Sequence, residues 1–100
     1  MRIIAKRTLR QFWERDRRFA DAQRALEDWY AQASLADWAT PTDIKAQYRD
    51  ASILKGSRVV FNICGNKYRL VVKINYPYRV IYVRFVGTHA EYDMIAVETV

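Results

Sequence analysis

The sequence predicts an α+β fold: N-terminal helices packed on one face of a mainly antiparallel sheet of three to four strands, followed by a short C-terminal helix. Three observations lead there. Apolar residues recur at threes and fours through the first third of the chain, the period falls to two after Ser57, and glycine or proline separates the strands at two places. One hundred residues with 51% apolar content fill a single core, so residues 1–100 read as one domain.

The elements follow in order. Residues 1–5 are a short apolar start that fits an edge strand. Residues 6–17 carry Leu9, Phe12 and Trp13 at helical spacing, and residues 20–36 carry Ala22, Leu26, Trp29, Ala33 and Ala36 likewise. Both stripes need a surface to cover, which assigns the tryptophans to the core. Thr40-Pro41-Thr42-Asp43 is a helix start, with threonine as N-cap and proline at the first helical position, and a short helix to about Tyr48 follows. RVVFNI, KYRLVVKIN and RVIYVRFV are then rich in β-branched and aromatic residues. Gly65-Asn66 suits a tight hairpin because both residues tolerate positive φ, and Pro77 breaks the ladder at the next turn.

Alternation assigns the faces. Tyr68, Leu70, Val72 and Ile74 point one way, with Val59, Phe61 and Ile63 on one side of them and Ile81, Val83 and Phe85 on the other. Burying these sets under the helices exposes Asn62, Arg69, Lys73, Tyr82 and Arg84 on one open face.

That face is basic. The formal charge is +6, and no acid occurs between Asp50 and Glu91, where Lys55, Arg58, Lys67, Arg69, Lys73, Arg79 and Arg84 all fall. A block of like charge without acids favours a polyanion partner over a merely solvated face. Other classes are excluded. Cys64 is alone, so neither an internal disulfide nor a paired-cysteine metal site is available. No uncharged apolar run approaches the roughly 18 residues of a membrane span, and the N-terminus lacks a secretory pattern, so a soluble, cytoplasmic protein without membrane contact is expected.

The only histidine lies in RFVGTHAEYD. Gly87 lets the chain leave the last strand, and Thr88 with Glu91 forms the T-x-x-E pattern of a capping box, making His89 the first residue of a helix that also holds Tyr92 and Asp93. His89 and Asp93 are spaced to share a metal, but two ligands without a third make no site, and no metal or cofactor is expected. RNA carries its own nucleophile in the 2′-hydroxyl. A histidine, a tyrosine and an aspartate beside arginine and lysine therefore suffice for phosphodiester cleavage.

Residues 58–93, RVVFNICGNKYRLVVKINYPYRVIYVRFVGTHAEYD, closely resemble the HigB family of toxins of bacterial type II toxin–antitoxin systems, within the RelE-like superfamily. TPTDIKAQYRDASILKG and the helical first half fit as well. The resemblance implies a RelE-like fold and a ribosome-dependent endoribonuclease, an mRNA interferase that cuts translated mRNA. It also implies a HigA-type helix-turn-helix antitoxin as partner, with operator DNA bound only through the toxin–antitoxin complex. By position, Arg69 matches the family's sheet arginine, and His89, Tyr92 and Asp93 match its THxEYD motif. RelE proper has lysines in the strand corresponding to RVVFNI; Val60 and Asn62 stand here, which moves the weight of proton transfer to His89 and Tyr92.

The expected roles are charge stabilisation by Arg69, proton transfer by His89, and Tyr92 as its partner or as a base-stacking contact. Asp93 would orient a neighbour. Lys73 and Arg84 would strengthen the field, Lys55 and Lys67 would hold RNA backbone, and Asn62 and Tyr82 would complete the binding face. Spacing does not tell acid from base. The rival reading is a non-catalytic module that binds RNA or the ribosome and blocks translation. A DNA-binding regulator acting alone is disfavoured, because no helix concentrates the basic side chains a major groove needs.

Overall fold

In the computed structural model, which describes residues Met1–Val100, the two apolar stripes become α1 (Lys6–Arg15) and α2 (Ala22–Leu35), linked by a single 3-10 turn, Arg17–Phe19. Leu9, Phe12 and Trp13 are buried on α1, and Ala22, Leu26, Trp29 and Ala33 on α2. The first helix stops two residues short of the predicted end. Asp16 turns extended and its carboxylate accepts the Arg18 N–H, so the side chain competes with the helix for the backbone. Thr40 and Asp43 cap α3 (Pro41–Gln47) reciprocally.

Five strands follow the order β1 (Arg2–Ile4), β5 (Val80–Thr88), β4 (Tyr68–Asn75), β3 (Arg58–Ile63), β2 (Ser52–Leu54), and β5 runs directly into α4 (His89–Asp93). Only the β1–β5 pair is parallel. The sequence leads one to expect three to four strands, and β2 is the addition: three residues are too short to display an alternation. No helix is long and apolar enough to cross a membrane.

The predicted inner face is the core. Val59, Phe61, Ile63, Tyr68, Leu70, Val72, Ile74 and Ile81 are all buried. Phe61 gathers the layers, its ring centroid lying 5.4 Å from Trp29, 6.0 Å from Trp38 and 5.1 Å from Tyr48. Tyr68 meets Phe12 and Phe19 edge-on, and its hydroxyl donates to Asp21 Oδ1 at 2.6 Å.

Three details depart from simple alternation. Val71 faces Phe85 and Val72 faces Val83, so Arg84 is an extra residue in a β-bulge. Past it the parity of β5 inverts: Val86, not Phe85, packs against the core. At the β3–β4 turn the left-handed residues are Cys64 and Gly65, rather than Gly65 and Asn66.

The outer face is also less open than its polarity suggests. Val60 and Val71 face each other there, yet are 3% and 0% exposed. The chain leaves β5 where Thr88 faces Tyr68, and the Val100 carbonyl accepts from Nε and Nη2 of Arg58, which stands opposite Lys73. Residues 94–100 thus cross the outer face over the Val60–Val71 pair, with Ile95, Val97 and Val100 half-buried.

Candidate active site

Arg69 occupies the centre of the sheet at one end, between Asn62 of β3 and Gly87 of β5. Its Nη1 donates to the carbonyls of Asn66 (2.9 Å) and Tyr68 (3.3 Å), which folds the guanidinium over the β3–β4 turn and leaves Nε and Nη2 without partners. Asn62 is half-buried, with Nδ2 at 3.5 Å from the Asp50 carbonyl. His89 follows Gly87 by two residues, so sheet arginine and histidine emerge at the same end of the molecule.

A set of contacts fixes α4 there. The Thr88 hydroxyl accepts the Glu91 N–H at 3.1 Å and Glu91 Oε1 accepts the Thr88 N–H at 2.9 Å. Arg15 Nη2 lies 2.9 and 3.0 Å from the two Glu91 oxygens, tying α4 to α1. This guanidinium, more than the Thr88 N–H, holds the Glu91 carboxyl below its usual range. Gly87 makes room: a Cβ there would stand 2.6 Å from Phe85 Cζ and 2.9 Å from Glu91 Oε1.

His89 Nδ1 is 3.0 Å from Asp93 Oδ2, one helical turn on, and both side chains are more than half exposed. A carboxylate only accepts, so in this contact Nδ1 is the donor, and Nε2 has no partner in the protein. Tyr92, in the same helical turn, is half-buried. No group of three or more His, Cys, Asp or Glu side chains is placed to hold a metal.

The cations sort into two sets. Arg79 is paired with Asp37 and Lys67 with Asp21, both acids from the first half of the chain. Lys55, Arg58, Arg69, Lys73 and Arg84 have no acidic partner. Lys67, expected to hold RNA backbone, is thus paired with the acid that precedes α2, its side chain still 57% exposed. Lys55 is exposed in the β2–β3 turn, at the end of the sheet opposite to His89.

At that far end Lys73 faces Tyr82, and the Arg84 guanidinium lies 5.6 Å from the Tyr82 ring centroid. With Ser57, Asn75 and Pro77 they line a cavity of about 370 Å³. The sequence pointed to Lys73, Tyr82 and Arg84 but not to Ser57 or Asn75. A readable signal existed for Asn75, whose Oδ1 accepts the Tyr78 N–H at 3.2 Å, because asparagine ahead of a proline turn is the pattern that caps such a turn.

The face thus has one end with Arg69, His89, Tyr92 and Asp93, a cavity end with Lys73, Tyr82 and Arg84, and the chain segment 94–100 between β3 and solvent. Comparison with known proteins adds two findings. Residues 22–95 match the HigB toxin family, described as the RelE-like toxic component of a toxin–antitoxin system. Over 97 residues the chain is 27% identical to the mRNA interferase HigB of Escherichia coli O6:H1, strain CFT073, covering 95% of this chain and 91% of that protein.

Proposed function

The chain belongs to the HigB family of RelE-like toxins, and from that premise we propose that it is an mRNA interferase, a ribosome-dependent endoribonuclease acting as one domain in the cytoplasm. The observation that carries the reading is Arg69 and the His89–Asp93 pair at one end of a sheet face whose remaining cations lack acidic partners.

In the proposed reaction the 2′-oxygen of a ribose attacks the adjacent phosphorus while the P–O5′ bond breaks, giving a 2′,3′-cyclic phosphate and a 5′-hydroxyl end. His89 Nε2 accepts or returns the proton in flight, and Asp93 holds the ring through Nδ1. Tyr92 is the partner group in the same turn. Arg69 supplies its two unpartnered nitrogens to the charge gathering on the non-bridging oxygens. This chemistry does not require a metal or cofactor. Lys73, Arg84 and Lys55 hold the strand through its phosphates, with Asn62 and Tyr82 beside them; Lys67, bound to Asp21, takes no part.

A toxin implies a cognate antitoxin, here one of the helix-turn-helix HigA type, which would carry the complex to operator DNA. The test of the function is to induce the chain without an antitoxin and map mRNA 5′ ends. New ends within translated frames are expected for the wild type, and their loss for Arg69→Ala and His89→Ala. Growth arrest without new ends would instead establish a non-catalytic block of translation.

A further inference from the structure

The cavity at the far end of the sheet has features that phosphate binding alone does not need. Lys73 and Arg84 would suffice for phosphate. The cavity is also lined by the Tyr82 ring, with the Arg84 guanidinium over it at 5.6 Å from the centroid, and has a polar rim of Ser57 and Asn75. Its volume, about 370 Å³, is at the low end of small-molecule sites and suits one nucleotide rather than a longer segment. Flat π surfaces are where single-stranded bases stack.

Beside the Ser57 and Tyr82 hydroxyls, which donate or accept, two of the lining groups offer donors only. Asn75 Oδ1 is engaged by the Tyr78 N–H, so the amide is oriented and its Nδ2, which has no partner in the protein, is presented as a donor. Lys73 is a second unpartnered donor. Guanine offers N7 and O6, two acceptors on one edge; adenine offers N7 beside an amino group that would leave these donors facing a donor.

We propose that the cavity is a nucleobase subsite that selects guanine in the RNA substrate, with Asn75 as a specificity-determining residue. The inference rests on the ribonuclease reading above. Lys73 is four residues along β4 from Arg69, so the base sits about 13 Å from the cleaved phosphate, roughly two nucleotides along an extended strand.

The test uses the full chain and the four nucleoside monophosphates as probes, followed by backbone amide shifts. Their phosphate is common, so differences report the base. GMP is expected to bind roughly ten-fold tighter than AMP and to shift the amides of Ser57, Asn75, Tyr82 and Arg84. Asn75→Asp keeps the oxygen that caps the Tyr78 N–H but replaces the donor with an acceptor. It should lose the guanine preference and favour bases with an amino group, a reversal that a purely structural residue would not produce. In mapped mRNA ends the same variant should change the base distribution about two positions from the cut. Equal affinities for the four nucleotides, or shifts confined to other parts of the chain, would overturn the subsite even if cleavage is confirmed. GMP shifts at the cavity in a chain that generates no RNA ends would support the subsite and reject the nuclease.

Discussion

Gly87→Ala tests how the strand end, the last helix and the catalytic groups depend on one another. The added methyl would meet Phe85 Cζ at 2.6 Å and Glu91 Oε1 at 2.9 Å. The Phe85 ring is half-exposed and can swing aside, but the Glu91 carboxylate is held by both Arg15 and the Thr88 N–H. Displacing it breaks the cap, worth about 1 kcal/mol, and an exposed ion pair worth roughly 0.2–1 kcal/mol after solvent screening. A loss of about 1–2 kcal/mol corresponds to a fall in Tm of roughly 5–15 °C for a chain of this size. Cleavage should suffer more than stability, because α4 carries His89, Tyr92 and Asp93, and a misplacement of about 1 Å costs on the order of 100-fold in rate. The control is Glu91→Gln, which still accepts the Thr88 N–H and loses only the charge. Calorimetry and mRNA-end mapping of both variants decide the matter. A Gly87→Ala protein that melts and cuts like the wild type would show that Glu91 does not position α4.

Other expectations follow from the same contacts. Asp21, chiefly through Lys67 and then the Tyr68 hydroxyl, has its folded value lowered, so its stabilisation is complete above the ordinary carboxylate range near about pH 4 and disappears as the pH falls below it. Urea midpoints taken from neutral to acid pH should drop in that window, and less steeply for Asp21→Asn. In RNA-oligomer binding, Lys73→Ala and Arg84→Ala should each reduce the salt slope by roughly 0.7, whereas Lys67→Ala should leave it unchanged because that ammonium faces Asp21. Arg58→Ala should release residues 94–100, read as faster amide exchange at Thr99 and Val100, both bonded to the Ala96 carbonyl; unaltered exchange would show that Arg58 is not what fastens the segment.

The helices, their caps and the inner face of the sheet were legible in the sequence because each rests on a local pattern. The stripes of Leu9, Phe12 and Trp13 and of Leu26, Trp29 and Ala33 have no second interpretation, and Thr40–Asp43 and Thr88–Glu91 satisfy their caps within four residues. What escaped depends on distant parts of the chain meeting. Arg58 and Val100 are 42 residues apart, Lys67 and Asp21 46, and Arg15 and Glu91 76, so neither the covering of Val60 and Val71 nor the pairing of Lys67 leaves any periodic trace. A run of like charge identifies a basic face. It does not say which cations on it are neutralised from elsewhere.

The bulge at Arg84 marks the boundary between these cases. In β4 the alternation of Tyr68, Leu70, Val72 and Ile74 with polar neighbours leaves one register, since a slip of one residue would turn the core outward. In β5 the stretch Val83-Arg84-Phe85-Val86 offers an apolar residue to the core under either parity, so alternation has no power there and the extra residue costs little. Its effect is to keep Arg84 beside Tyr82 at the cavity while Phe85 comes to stand over Gly87 and Val86 turns inward. Lysine substitutions separate the two registers. At Phe85 the stem can lie along the outer face with its ammonium in water, for a cost of about 1 kcal/mol. At Val86 the charge is directed at the core, for roughly 2–3 kcal/mol. Urea denaturation that ranked Phe85→Lys as the more damaging of the two would restore unbroken alternation, place Phe85 in the core and remove Arg84 from the cavity wall.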